Sequence, residues 1–187
     1  MDGQPPAVAE FSDALVRAVD KALGMKLDHT PDTLPFLDHY LKHSKSSTED
    51  RDERGDVKPE FLQLIAPMAG CYFGEVVRRS FETRWVTPGE DPSKWRMEFC
   101  RCFMFFSPMG VVVESLLQRE VEGIPGAFQV AADQREHVAA LLENQPAILE
   151  RHFFALTVRW EILDLVNSHL MEHMLLGGEP HDIVPEQ

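Results

Sequence analysis

Basic residues are in short supply in this 187-residue sequence. Lys and Arg number 18 against 31 Asp and Glu, a net charge of −13 with histidine neutral and a pI near 5. Phosphate binding draws its affinity from Lys and Arg, so nucleic acid is not an expected partner, and neither is an anionic membrane surface. Long hydrophobic runs are missing too. No stretch reaches 18 uninterrupted apolar residues, which excludes an ordinary transmembrane helix. The opening MDGQPPAVAEF has no basic segment leading into an apolar one, so no secretory signal is expected. Cysteine is scarce: Cys71, Cys100 and Cys102 are odd in number and contain no C-x-x-C. Cys100 and Cys102 are expected two apart on one strand, facing the same side, where a disulfide between them would be strained. Free, mostly buried thiols in a reducing cytoplasm are the economical reading. There is no G-x-S-x-G, no G-x-x-x-x-G-K-[ST] and no G-x-G-x-x-G, so neither a serine hydrolase nor a nucleotide-binding protein is supported. The paired E-x-x-H motifs of di-iron bundles are absent as well.

What is present is an ordinary globular composition, 44% hydrophobic and 26% charged, read as a single domain over residues 1–187. Val8, Phe11, Leu15 and Val19 recur at helical spacing, with Gly24 placed to stop the run. Thr30 to Thr33 is turn chemistry, and a second helix is expected from about Thr33 to His43. Residues 44–56 have no apolar member and read as a flexible polar loop. From Phe61 to Val77 the chain is apolar nearly all round, as in a helix surrounded by protein, with Pro67 expected to kink or split it. After Phe81 the period changes to that of strands. TRWVT at 83–87 and the alternation of Trp95, Met97 and Phe99 predict strands, and FCRCFMFF at 99–106 reads as a central strand with a break near Cys100. Residues 111–120 fit either strand or helix and are taken as helix. A short strand is expected at 127–130, and Asp133-x-x-Glu136 reads as a capping box.

The last expected element is one long helix, 146–176, closed by Gly177-Gly178 and followed by a loose tail at 179–187. Leu149, Phe153, Leu156, Trp160, Leu163, Asn167, Leu170 and Met174 alternate spacings of four and three. That is a heptad-like seam, fit for the spine of the fold or for a homodimer through helix 146–176. The fold class is therefore α+β: a small, mainly antiparallel sheet over about 83–106, extended at 127–130, packed by helices from both ends of the chain.

Two kinds of candidate site stand out. His169-Leu170-Met171-Glu172-His173 matches H-x-x-E-H, two histidines one helical turn apart with a glutamate as base, the arrangement of an inverted zinc-protease motif. A third ligand would normally follow well downstream, and the sequence offers only a short tail. His39 and His43 repeat the i, i+4 spacing. The other kind is charge inside apolar sequence. Glu75 and Arg101 each need a partner if buried, and could pair with one another, with Arg78, or with the indole N–H of Trp85 or Trp95. A polar lock between helix and sheet is one reading of this group, and a ligand pocket beside Glu75 is another.

The run Gly70-Cys71-Tyr72-Phe73-Gly74-Glu75-Val76, followed by Trp85 and an aromatic strand, resembles a G-x-Y-x-G-E-V pattern in uncharacterised bacterial α+β domains. Some of these are similar to immunity proteins of bacterial toxin systems. The resemblance covers about residues 59–108, carries no known activity, and implies an architectural role for Gly70, Gly74 and Glu75 in a bacterial cytoplasmic protein. The expected function is a non-enzymatic protein-interaction or regulatory module without a cofactor, its partner another protein and, given the net charge, a basic one. The alternative is a metal-binding protein or zinc-dependent hydrolase built on His169, Glu172 and His173.

Overall fold

The computed structural model describes residues 4–44, 57–124, 126–145 and 150–175. The polar loop expected at 44–56 therefore lies, from residue 45 on, outside the described residues, as do the start of the expected last helix at 146–149 and everything from 176 onward. The architecture is α+β, with helices α1 (Pro6–Leu23), α2 (Leu34–Ser44) and α3 (Pro59–Ser80) leading into strands β1 (Thr83–Val86), β2 (Arg96–Phe99) and β3 (Met104–Phe106). Helix α4 (Pro108–Leu117), strand β4 (Gln129–Val130) and helices α5 (Arg135–Glu143), α6 (Glu150–Phe153) and α7 (Leu156–Leu175) follow.

α3 is the centre. Residues 69 to 77 are buried without interruption, because α1, α4 and the sheet all pack on it. Two glycines make that crowding possible. A Cβ on Gly70 would stand 3.0 Å from the backbone of Met109, so the start of α4 approaches the helix as closely as a glycine permits. A Cβ on Gly74 would overlap the Cζ2–Cη2 edge of the Trp85 indole, which presses on this turn. Pro67 neither splits nor ends α3, which runs unbroken from Pro59 to Ser80.

The four strands form an antiparallel meander in the order β1-β2-β3-β4. Trp85 pairs with Met97 and Met97 with Phe106, and this side of the sheet faces α3. Arg84, Glu98, Phe105 and Gln129 form the row on the opposite side, in register across all four strands. The expected central strand at 99–106 is instead a hairpin. The connection 100–103 separates β2 from β3, held by Cys100 N–H on the Glu82 carbonyl (2.9 Å) and Met104 N–H on the Cys102 carbonyl (2.9 Å). Cys100 and Arg101 are consequently exposed, not core residues, while Cys71 and Cys102 are buried.

Residues 111–120 are helical up to Leu117, where Gln118 takes a left-handed conformation and closes α4. The capping box at Asp133 and Glu136 does not form, because a 3-10 turn at Ala132–Gln134 occupies the entry to α5. The long last helix is broken as well. α6 stops at Phe153 and α7 starts at Leu156, because Asp38 of α2 takes the N–H groups of Leu156 (2.7 Å) and Thr157 (3.1 Å) together with the Thr157 hydroxyl (2.7 Å). A continuous helix would need those two donors for its own ladder. Leu156, Leu163, Val166 and Leu170 are buried in the core that α7 shares with α2, α4 and α5. Leu156, Leu163 and Leu170 of the heptad-like stripe are thus covered by the chain itself, while Phe153, Trp160 and Asn167 are half-buried.

Candidate functional site

Each polar group singled out in the sequence has a definite place. Glu75 is 0% exposed, and its carboxylate is filled by protein donors: Trp85 Nε1–H at 2.8 Å, Arg78 Nε–H at 2.9 Å and Arg78 Nη2–H at 2.8 Å. A carboxylate held by an indole and a two-pronged guanidinium has no room for a ligand. The pocket reading at Glu75 falls with this observation, and a lock joining α3 to β1 is what the geometry shows. Trp95 is not part of it, since its N–H donates to the Gly89 carbonyl (3.0 Å) and its ring packs with Val8, Cys71 and Met109. Arg101 is remote from Glu75, at the exposed tip of the β2–β3 hairpin.

His169 and His173 do meet on α7, ring centroids 4.5 Å apart, and His137 of α5 joins them at 5.5 Å from His173. This third imidazole comes from upstream, where the motif spacing gave no reason to look. Among the described residues, however, no group of three or more His, Cys, Asp or Glu side chains is disposed to hold a metal ion, and Glu172 points into solvent. His39 and His43 meet edge-to-face on α2, ring centroids 4.8 Å apart.

Three polar clusters had no sequence signal. Glu114 on α4 is 2% exposed and receives Arg159 Nη2–H of α7 (2.8 Å) and the Gly126 N–H (2.9 Å), while the Arg159 guanidinium stacks over Phe153 and Phe154. Burial pulls the Arg159 guanidinium below its ordinary pKa, and the Glu114 charge pulls it back up. Asp38, capping α7, has its carboxyl raised by burial against the three donors that favour the carboxylate. The third cluster ties α1 to α3: Ser12 Oγ and His29 Nε2 share a hydrogen at 2.7 Å, His29 N–H donates to the Tyr72 hydroxyl (2.9 Å), and that hydroxyl meets Thr33 Oγ1 at 2.7 Å.

A serine and an imidazole at that distance have the spacing of an activated nucleophile. Ser12 is 0% exposed, though, so no substrate reaches it, and the pair acts as a strut. Burial, and then the Arg79 guanidinium, lowers the His29 pKa below 6.5, so the ring is held neutral. The unfolded chain therefore binds more protons here than the native one, and stability falls as pH drops from about 6.5 towards the native pKa. His29→Asn keeps a residue suited to the left-handed backbone (φ 62) and removes the titrating ring. Urea unfolding between pH 7.5 and 5.5 should show a shallower pH dependence for this variant than for the parent; identical slopes would remove His29 from the account. The thiols are equally unfit for catalysis inside the core, burial pushing Cys71 up to about 12 and Cys102 up to about 11.

The remaining feature is the outer face of the sheet. Glu98, although 8% exposed, sits there between two arginines: Arg84 Nε–H and Nη2–H reach one oxygen (3.1 and 2.9 Å), and Arg96 reaches the other (2.8 Å). Arg96 also lies over the Phe105 ring at 5.3 Å, and Phe103, 41% exposed, meets Phe105 edge-on at 5.9 Å. Arg101 is an exposed residue of the same 100–103 connection as Phe103. The sequence hid this face by its alternation, which reads as a plain solvated side.

No protein-family model matches the chain, and no curated protein or solved structure matches it either. Among the described residues no helix is long and apolar enough to cross a membrane. The functional reading rests on the chain's own geometry.

Proposed function

We propose that the protein is a non-enzymatic interaction module of the bacterial cytoplasm, binding another protein through the outer face of its sheet and the tip of the β2–β3 hairpin. The observation that carries this reading is the gathering of Arg84 and Arg96 with Phe103 and Phe105 on the outer face of the sheet of an otherwise acidic molecule, with exposed Arg101 in the hairpin connection that ends it. Arginine and aromatic side chains are the residues that dominate protein interfaces, and half-exposed phenylalanines beside them are where burial on binding gains most. The buried polar clusters at Glu75, Glu114, Asp38 and Ser12–His29 support it from the other side, because their acids and bases hold elements of the fold together.

The partner that fits is a protein presenting an acidic segment with an apolar side chain. A basic partner, drawn by the overall charge and of the kind an immunity protein neutralises, is the second reading. One experiment separates them. Partner capture with the parent and with an Arg96→Glu/Arg101→Glu/Phe103→Ser variant should lose the bound protein in the variant, by about 2 kcal/mol or more, if this face is the interface. Binding that strengthens on charge reversal supports the basic partner, and binding that does not change removes this face altogether.

A further inference from the structure

A groove of about 460 Å³ runs between the first half of α3, the α4 helix and the 3-10 turn at Pro92–Lys94, away from both the sheet face and the Glu75 lock. That size falls in the range of small-molecule sites. Leu62 and Ala66 of α3 and Met109 and Val113 of α4 form its apolar walls. Two polar features break the apolar lining. Pro67, on the α3 side, has no N–H, so the Gln63 carbonyl one turn earlier lacks the helical donor it would otherwise receive. On the opposite rim stands the Asp91 carboxylate, which accepts from Ser93 N–H (3.0 Å) and Ser93 Oγ–H (2.7 Å), with Lys94 Nζ loosely placed at 3.7 Å. The groove thus offers hydrocarbon walls, an acceptor and a negative charge, on a molecule that attracts cations at long range.

We infer that this groove binds a small organic cation with an apolar body, of the alkylamine or arylalkylamine class. Its chain lies between α3 and α4, and its ammonium group meets the Asp91 carboxylate on the rim. Pro67 has a role in this arrangement beyond shaping the helix, because it keeps the Gln63 carbonyl open as an acceptor. The site is independent of the sheet face, so either can fail without the other.

The test uses the full chain labelled with ¹³C at its methionine methyls, the Met109 signal being assigned with Met109→Leu. Hexylamine and hexanoate are titrated separately. A saturable shift at Met109 is expected for hexylamine, with affinity about tenfold above that of hexanoate. Asp91→Asn, which removes the charge and leaves an amide oxygen to accept from Ser93 N–H and cap the turn, should erase most of that preference, and Val113→Trp should abolish the shift by filling the groove. Absence of a saturable Met109 shift, equal affinity for the two probes, or a preference that survives Asp91→Asn would each overturn the proposal.

Discussion

Gly74→Ala should cost about 3–5 kcal/mol of stability, a large part of the margin of an ordinary domain. The added methyl would overlap the Cζ2–Cη2 edge of the Trp85 indole, and the opposing atoms belong to a rigid ring, not to the free end of a flexible side chain. Displacing the indole also withdraws its N–H from Glu75, leaving a wholly buried carboxylate with Arg78 alone. Overpacking and the loss of a buried donor thus act together. Urea denaturation should show the midpoint falling with little change in slope. The double variant Gly74→Ala/Trp85→Leu should recover part of the loss, since a leucine can yield where an indole cannot. A Gly74→Ala protein as stable as its parent would mean that the indole does not rest on the helix.

Arg159→Leu should be of similar size, about 3–5 kcal/mol, for a different reason. Glu114 would remain buried on α4 with the Gly126 N–H as its partner, and a charge so placed is far from water. The lost stacking on Phe153 and Phe154 adds to the cost. Glu114→Gln in the same background removes the charge while keeping the shape, so the double variant should be more stable than Arg159→Leu alone. If the two lesions simply add, the two side chains do not interact and the buried pair is not what holds α4 to α7.

Much of the fold is legible in the sequence where the signal is local. The stripe of Val8, Leu15 and Val19 with Gly24 after it marks α1, and the all-round apolar run to Val77 marks α3 as central. The start of the sheet at Thr83 and the helical character of 111–117 are legible in the same way. What escapes is decided by residues far apart in the chain. Nothing near Phe154 announces that the helix must restart at Leu156, because the cause is Asp38, 118 residues away. Glu98 reads as a solvent-facing member of an alternating strand and becomes buried because arginines on two strands close over it. A break near Cys100 is legible in the sequence, but that the chain turns back there as a hairpin over 100–103 is not. Of the candidate site residues, Glu75 and Trp85 do come together with Arg78, whereas Arg101 and Trp95 do not. The sheet face escapes notice because its aromatics, Phe103 and Phe105, look like core residues until the strand order is known.

The Glu114–Arg159 pair also imposes an order in time on a chain made from its N-terminus. Glu114 is synthesised 45 residues before the arginine that neutralises it. Until then its carboxylate is more stable in water than in the interior, by the several kcal/mol that an unpaired buried charge costs. The nascent chain can assemble α1, α3 and the meander, whose mutual contacts need nothing further along. The far end of α4 must wait, hydrated, for α7 to leave the ribosome. The helix that follows 45 residues later is the one that lets this part of the core close.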